Sequence, residues 1–447
     1  MGSDDNRKRN SGSRLSPETG KRTPRRLKKQ KLTAEVGGSG SLKPEQTTGE
    51  KKKKRKINSD FIKPTDIVRV KGSPDMVIVL LVVILTLFGL VMVFSASYAY
   101  AYSSLGNSYF YVRRQAIYAV PGAVLMIVAS FVDYNFYRRM TPLAYVGTMA
   151  LLAGVLAYGF AAGDTQRWIE IGGYSVQPSE MAKLAIVMMI ALYASVSQER
   201  IVNYENKRQS YIYGLVVPLG IVGLPCILVY FENHFSGVII LFAIGIVMIF
   251  ASGGNWRPLA VVAVAGLVLL LFAVMFVDYA RVRLDMWLNP DNYDPQGRIW
   301  QTLQGLNAVG SGGMFGVGIG ASKQKYLFVS QPQNDFIFAI ICEEMGFVGA
   351  TIIISLFVIL TYRGFKVAMR APDTYSSLLA FGITAKLALQ VILNIAVVTN
   401  TIPNTGIALP FFSYGGSALI MQLIEMGMLI SISRYTYREV SVPATVK

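Results

Sequence analysis

Long apolar runs recur ten times between residues 76 and 433, separated by connections that are short in all but one case. An α-helix rises 1.5 Å per residue, so about 20 such residues cross the hydrocarbon layer of a bilayer. The pattern predicts helices at 76–97, 114–132, 142–161, 180–196, 211–231, 236–252, 258–279, 336–360, 376–399 and 416–433. The expected fold is therefore an all-α polytopic membrane protein with about ten transmembrane helices.

Positive charge orients the bundle. Arg138/Arg139, Arg200/Lys207/Arg208, Arg257 and Arg363/Lys366/Arg370 fall in alternate connections, and Arg434/Arg438 follow the last run. Lys and Arg favour cytoplasmic loops, which places both termini in the cytoplasm. The outer connections are then 98–113, 162–179, 232–235, 280–335 and 400–415. The fourth has more than fifty residues, far beyond what joining two helices requires. It holds an amphipathic piece, "RIWQTLQGLNAVG", a glycine-rich turn, and Arg281, Arg283, Arg298, Lys323 and Lys325. A basic outer loop beside a bilayer suits an anionic, phosphate-bearing lipid head group.

Composition sharpens this picture. Of 447 residues 53% are hydrophobic and 15% charged, well below the quarter typical of soluble domains. The net charge is +17, and residues 1–75 carry 21 Lys/Arg against 9 Asp/Glu. That segment has no apolar run, and reads as a disordered basic cytoplasmic tail lying against anionic lipid. It carries no signal-peptide pattern, and no interleaved aromatics or fold point to nucleic acid. Residues 76–435 form the membrane domain and 436–447 a short cytoplasmic tail. Cys226 and Cys342 lie in apolar runs as packing residues, and His234 alone builds no metal site.

Ionisable residues at membrane depth are costly and mark sites or pairs. In "DTQRWIEIGGYSVQPSEMAKL", Glu180 and Lys183 are neighbours on one helical face, as an ion pair or as two walls of a polar cavity. "SQPQNDFIFAIICEEMG" opens the eighth run with Asp335, either a helix cap or a catalytic base. Glu343 lies eight residues on, about 12 Å deeper, and Glu344 nearly opposite, so the three acids form no single site. Chemistry is assigned to Asp335, and inter-helix pairing to Glu343 or Glu344, with Lys386 as partner. "GVGIG" has no preceding strand and no P-loop spacing, so it serves close backbone approach. "NTIPNTGIALPFFSYGGSA" is a short loop with two prolines, either a re-entrant structural turn or a wall of the substrate groove with Ser413 as a substrate contact.

"QRWIEIGGYSVQPSEMAKL", "GIGASKQKYLFVSQPQNDFIFAIICEEMGFVGA" and "PNTGIALPFFSYGGS" together resemble, in order and spacing, the SEDS proteins FtsW, RodA and SpoVE, the first and third of these branches above all. The likeness spans about residues 76–435. It implies an inverting peptidoglycan glycosyltransferase that polymerises lipid II outside the membrane, in division, sporulation or cell shape. The implied partners are a class B penicillin-binding protein transpeptidase and other divisome proteins. The family's essential aspartate falls on Asp335, its glutamate and lysine on Glu180 and Lys183, and its arginine before tryptophan on Arg167. Two positions depart from it: Asn233-His234 occupy the turn where members often have Pro followed by Asp or Asn, and Gln333-Asn334 precede the aspartate where many have His-Thr. Arg167, Lys183, Lys323 and Lys325 are the candidate diphosphate contacts. No motif demands a cofactor, although a divalent cation, magnesium or manganese, could assist the leaving group. The competing readings are a flippase for a lipid-linked precursor and a non-catalytic division scaffold.

Overall fold

A computed structural model of the chain describes residues 67–439 except 159, 162–165, 172–173, 203–205, 277, 295 and 298. Most of the basic tail, residues 1–66, lies outside the described residues, as does 440–447. A helix covers each of the ten predicted runs. They are α1 (Met76–Leu105), α2 (Phe110–Phe131), α3 (Tyr134–Tyr158), α4 (Pro178–Ile201), α5 (Lys207–Tyr211) continuing through a π-turn into α6 (Val217–Phe231), α7 (Phe235–Ala251), α8 (Trp256–Phe276), α11 (Ile337–Arg370), α12 (Thr374–Val398) and α13 (Gly416–Ser433). Eight of these spans, the α5–α6 unit counted as one, are long and apolar enough to cross a membrane, and α7 is a shorter apolar helix of 17 residues. Within the long outer connection lie α9 (Asp278–Leu288) and α10 (Trp300–Ser311). The second is the amphipathic piece read from the sequence.

Local chemistry sets several boundaries. Asp75 caps α1 by accepting from the Val77 and Ile78 amides, and Gly106 ends it in the left-handed region. Pro178 begins α4 at a position where its missing N–H costs nothing. Asp373 and Ser376 form a reciprocal capping box on α12. Close helix contact comes from small residues: a side chain at Gly122 or Gly416 would strike Leu423 or Tyr118, and one at Gly427 the Met126 carbonyl. These three line the α2–α13 seam, where dispersion replaces the hydrophobic drive that lipid cannot supply.

Two places correct the expected boundaries. Residues 67–75 do not belong to the tail: Ile67–Lys71 is a strand, β1, paired antiparallel with β5 (Tyr435–Glu439), which was expected in the C-terminal tail. The alternating apolar positions of "IVRVK" suit a strand, but its partner lies more than 360 residues away, so local pattern alone could not place it. The connection after α3 is likewise a three-stranded antiparallel sheet, ordered β2 (Phe160–Ala161), β3 (Gln166–Ile171) and β4 (Tyr174–Val176). The β1–β5 ribbon brings the chain back to the face from which it started, which requires an even number of crossings. Arg363 on α11 pairs with Asp75 at 3.1 Å. Residue 363 lies 17 positions beyond the non-helical Gly346, roughly 25 Å along the second part of α11, whereas Asp335 precedes its first part. The ribbon and Asp335 are thus at opposite ends of α11.

That helix is interrupted. Gly346 adopts φ 66°, ψ −167°, a conformation reserved for glycine, in the middle of α11. The backbone groups released by the break are met by the glycine-rich turn. Val317 and Gly318 amides donate to the Glu343 and Glu344 carbonyls, and the Phe347 and Val348 amides donate to the Gly313 and Met314 carbonyls. Side chains at Gly312 or Gly316 would collide with the backbone of α11. Close backbone approach, expected for "GVGIG", is therefore its observed use.

Gly346→Ala should destabilise the protein by about 2 kcal/mol or more, from backbone strain plus collision with Met314 and Gly316. Gly147→Ala on α3, where a new methyl meets nothing within 4 Å, should be neutral or slightly stabilising. Thermal unfolding midpoints of the two variants in detergent check the contrast.

Candidate active site

Asp335 precedes α11 but does not cap it. The N-cap is Phe336, with no side-chain cap bond. The cap reading is thereby removed, and the carboxylate is left free of its own helix. Asp335 is half-buried. Burial raises its pKa above the ordinary aspartate range, while its own backbone amide and the nearby Arg283 guanidinium act to lower it. Gly406, with φ 68°, faces the carboxylate: a Cβ there would stand 3.5 Å from Asp335 Oδ2.

The wall facing Asp335 is the loop 399–415. It is held from three sides. From α9, Arg283 Nη1 donates to the Asn404 carbonyl at 2.9 Å and Trp287 Nε1 to the Asn400 carbonyl at 2.9 Å. From α12, Asn394 Nδ2 donates to the Ile407 carbonyl at 2.7 Å and to the Asp335 carbonyl at 2.8 Å. The Tyr414 amide donates to the Gln333 carbonyl at 2.8 Å. Ser413 folds the wall itself: its hydroxyl accepts from the Leu409 amide at 2.7 Å and its carbonyl from Gln115. Leu327, Gln331, Asn400 and Phe411 have positive φ, a concentration of backbone strain in the loops around this acid.

A second group of charges lies among α4, α12 and α13. Lys183 meets Glu180 at 2.7 Å, and Lys386 meets Glu425 at 2.7 Å and Gln422 at 3.0 Å. Lys386 and His234 are the next charged or titratable groups felt at Glu180. Lys386, Gln390 and Asn394 recur every four residues on α12, so one buried polar face runs from this group to the backbone of Asp335. Arg167, on β3, is half-buried and acts electrostatically on Glu232 and His234. His234 is buried, its Nδ1 takes no bond among the described residues, and burial followed by Arg167 pulls its pKa down to about 3. Glu232 beside it is also buried, which pushes its carboxyl up to about 7.

The lysines of the glycine-rich turn do not act together. Lys323 is exposed. Lys325 is buried, with Nζ donating to Glu344 at 2.9 Å, to Ser95 at 3.2 Å and to the Gly320 carbonyl at 2.6 Å. A lysine so engaged has no geometry left for a diphosphate, so it leaves the expected cradle. Glu344 pairs with Lys325 rather than Lys386, whose partner is Glu425. Glu343 binds the turn instead, accepting from the Ser322 hydroxyl and from the Lys323 and Gln324 amides. Sequence reasoning missed Arg283, Asn394 and Glu425 as site-forming residues. A charge in a long loop carried a signal for Arg283; Asn394 and Glu425, polar within apolar helices, were visible but not singled out. Among the described residues no three His, Cys, Asp or Glu side chains could hold a metal.

The molecule is a polytopic helical membrane protein with one acid and a neighbouring arginine at the mouth of an interrupted helix. The family profile described as "Cell cycle protein", that of FtsW, RodA and SpoVE, matches residues 75–438, and the chain belongs to this family. It is similar to stage V sporulation protein E of Bacillus subtilis, 39% identical over 82% of this chain and 98% of the relative. It is 38% identical to the probable peptidoglycan glycosyltransferase FtsW of Geobacter metallireducens, over 80% of this chain and 94% of that one. Among solved structures, a chain described under "Structural coordination of polymerization and crosslinking by a peptidoglycan synthase complex" matches with TM-score 0.66 and 26% identity over 81% of this chain and 98% of that one. Thermus thermophilus RodA shares the fold, with TM-score 0.60 and 24% identity over 81% and 97%. The chain is a multi-pass protein of the cytoplasmic membrane.

Removing one partner of the Lys325–Glu344 pair should cost about 3–5 kcal/mol, because the other charge stays buried and unpaired. Lys325→Met and Glu344→Gln should each lower the unfolding midpoint, and the double variant should recover most of the loss. A double-mutant cycle of detergent melts measures this.

Proposed function

We propose that the chain is a peptidoglycan glycosyltransferase that polymerises lipid II into glycan strands at the outer face of the cytoplasmic membrane, for septal or spore wall synthesis. The carrying observation is Asp335: a half-buried carboxylate, unused by its own helix, beside Arg283 and at the end of α11 opposite the chain termini. With the basic tail held inside by its charge, that end faces outward.

The chemistry follows from these positions. A sugar hydroxyl attacks the anomeric carbon of a lipid-linked saccharide. The new carbon–oxygen bond forms as the bond to the diphosphate breaks, and the hydroxyl proton passes to Asp335. Displacement from the side opposite the leaving group inverts the anomeric centre, so an α-linked donor yields a β-linked glycan. Arg283, with Arg167 and the exposed Lys323 as further cations, offsets charge on the departing diphosphate. Lys183 acts through its pair with Glu180, which keeps a polar floor in the bundle. A divalent cation enters only as a counter-ion carried by the diphosphate, and no step is assigned to it. The partners of this reading are a class B penicillin-binding protein, whose transpeptidase cross-links the strands, and other divisome proteins. The similarity to the synthase-complex chain supports it.

The interrupted α11 and the paired buried charges also occur in transporters, which keeps lipid translocation as the second reading. Purified full-length protein supplied with lipid II separates the two. Asp335→Asn should lower polymerisation by about 10²-fold or more. Arg283→Gln should lower it by about 10²-fold. Removing residues 1–60 should leave the in vitro rate intact. Because burial raises the Asp335 pKa, the base is protonated up to a higher pH than an ordinary aspartate, and the acid limb of kcat/KM should lie correspondingly higher. Labelled lipid that still crosses proteoliposomes in Asp335→Asn, with polymer absent from the wild type, would favour transport.

A further inference from the structure

Asn394 is fully buried near the C-terminal end of an apolar helix, where an amide side chain is costly unless it is used. Its Nδ2 group donates to two main-chain carbonyls, those of Asp335 and of Ile407. The orientation of the amide is forced. Turned over, it would set Oδ1 against two carbonyl oxygens. As placed, Oδ1 accepts no bond among the described residues, so the side chain spends its donors on these two oxygens and satisfies nothing else.

The two carbonyls belong to different segments. One lies on the residue whose carboxylate faces the site, the other one residue after Gly406, whose backbone that carboxylate faces. A second stitch joins the same segments where the Tyr414 amide meets the Gln333 carbonyl. Between these ties Asp335 has little freedom, and its distance from the opposite wall is set by one rigid amide. A Gln would be a methylene too long, an Asp would present oxygen to oxygen, and a Leu would leave both carbonyls unmet.

We propose that Asn394 is a positioning residue: it fixes the backbone of Asp335 against the 399–415 loop, and so holds the carboxylate where it takes the proton of the acceptor hydroxyl. This rests on the reading of Asp335 as the base. A purely structural role would predict lost stability with turnover per folded molecule unchanged. A positioning role predicts lost turnover in protein that is still folded, because a displacement of about 1 Å costs on the order of 10²-fold.

The test is full-length protein in proteoliposomes given lipid II, comparing Asn394→Ala, Asn394→Asp and Asn394→Ser with Asp335→Asn and the wild type. Variants with near-native melting midpoints should show kcat lowered by about 10²-fold with KM changed by no more than about twofold. The acid limb of kcat/KM should move to lower pH, since a released Asp335 gains water and loses the burial that raises its pKa. Folded variants that keep kcat within about threefold, or that lose only KM, overturn the proposal. So does failure of all three substitutions to fold, which would make Asn394 a folding residue. If Asp335→Asn itself keeps the wild-type rate, the base assignment fails; if it is inactive while the Asn394 variants remain active, only the positioning role fails.

Discussion

A helix broken inside a bilayer must have its freed backbone groups answered by protein, because lipid answers none of them. The interruption of α11 at Gly346 meets this constraint with four hydrogen bonds from the glycine-rich turn. Much else depends on that splint. It ties the long outer connection to the core of the bundle and sets the N-terminal part of α11 at a fixed angle. The buried Lys325–Glu344 pair and the ring of donors around Glu343 lock the same junction through side chains. Residues that look like a substrate cradle in one dimension are thus the rivets of a loop.

With the junction secured, the acid at the start of α11 is free to be used. Most charges at membrane depth here are paired: Glu180 with Lys183, Lys386 with Glu425, Glu344 with Lys325. Asp335 differs. Its nearest cation, Arg283, comes from α9 in the outer loop and is itself anchored on the opposite wall through the Asn404 carbonyl. Acid, cation and wall therefore come from three separate parts of the chain.

The ten helical runs, the amphipathic segment at 300–311 and the use of glycine for backbone contact were legible because each is written in a local period or in a residue type with one physical use. Asp335, Glu180, Lys183 and Arg167 were singled out because charge beside apolar sequence is expensive, and because their motifs resemble a known family. The strands at 67–71 and 435–439 were not, since each is defined by a partner at the far end of the chain. Lys325 misled for a related reason. A lysine just after a glycine-rich turn looks solvated until the fold buries it against α1 and α11. Asn394 carried even less: one amide in a long apolar run has no meaning until the two carbonyls it serves are brought to it.

Sequence by itself determined that this chain lives in a membrane, how many apolar segments it has, and which end of the bundle is basic. These follow from transfer costs that each residue bears wherever it sits. Tertiary structure alone decided which charges neutralise one another, where α11 breaks, and which arginine and which amide stand at Asp335. Those outcomes depend on distances of about 3 Å between residues tens to hundreds of positions apart, and hydrogen bonding at that range is set by packing rather than by any local pattern.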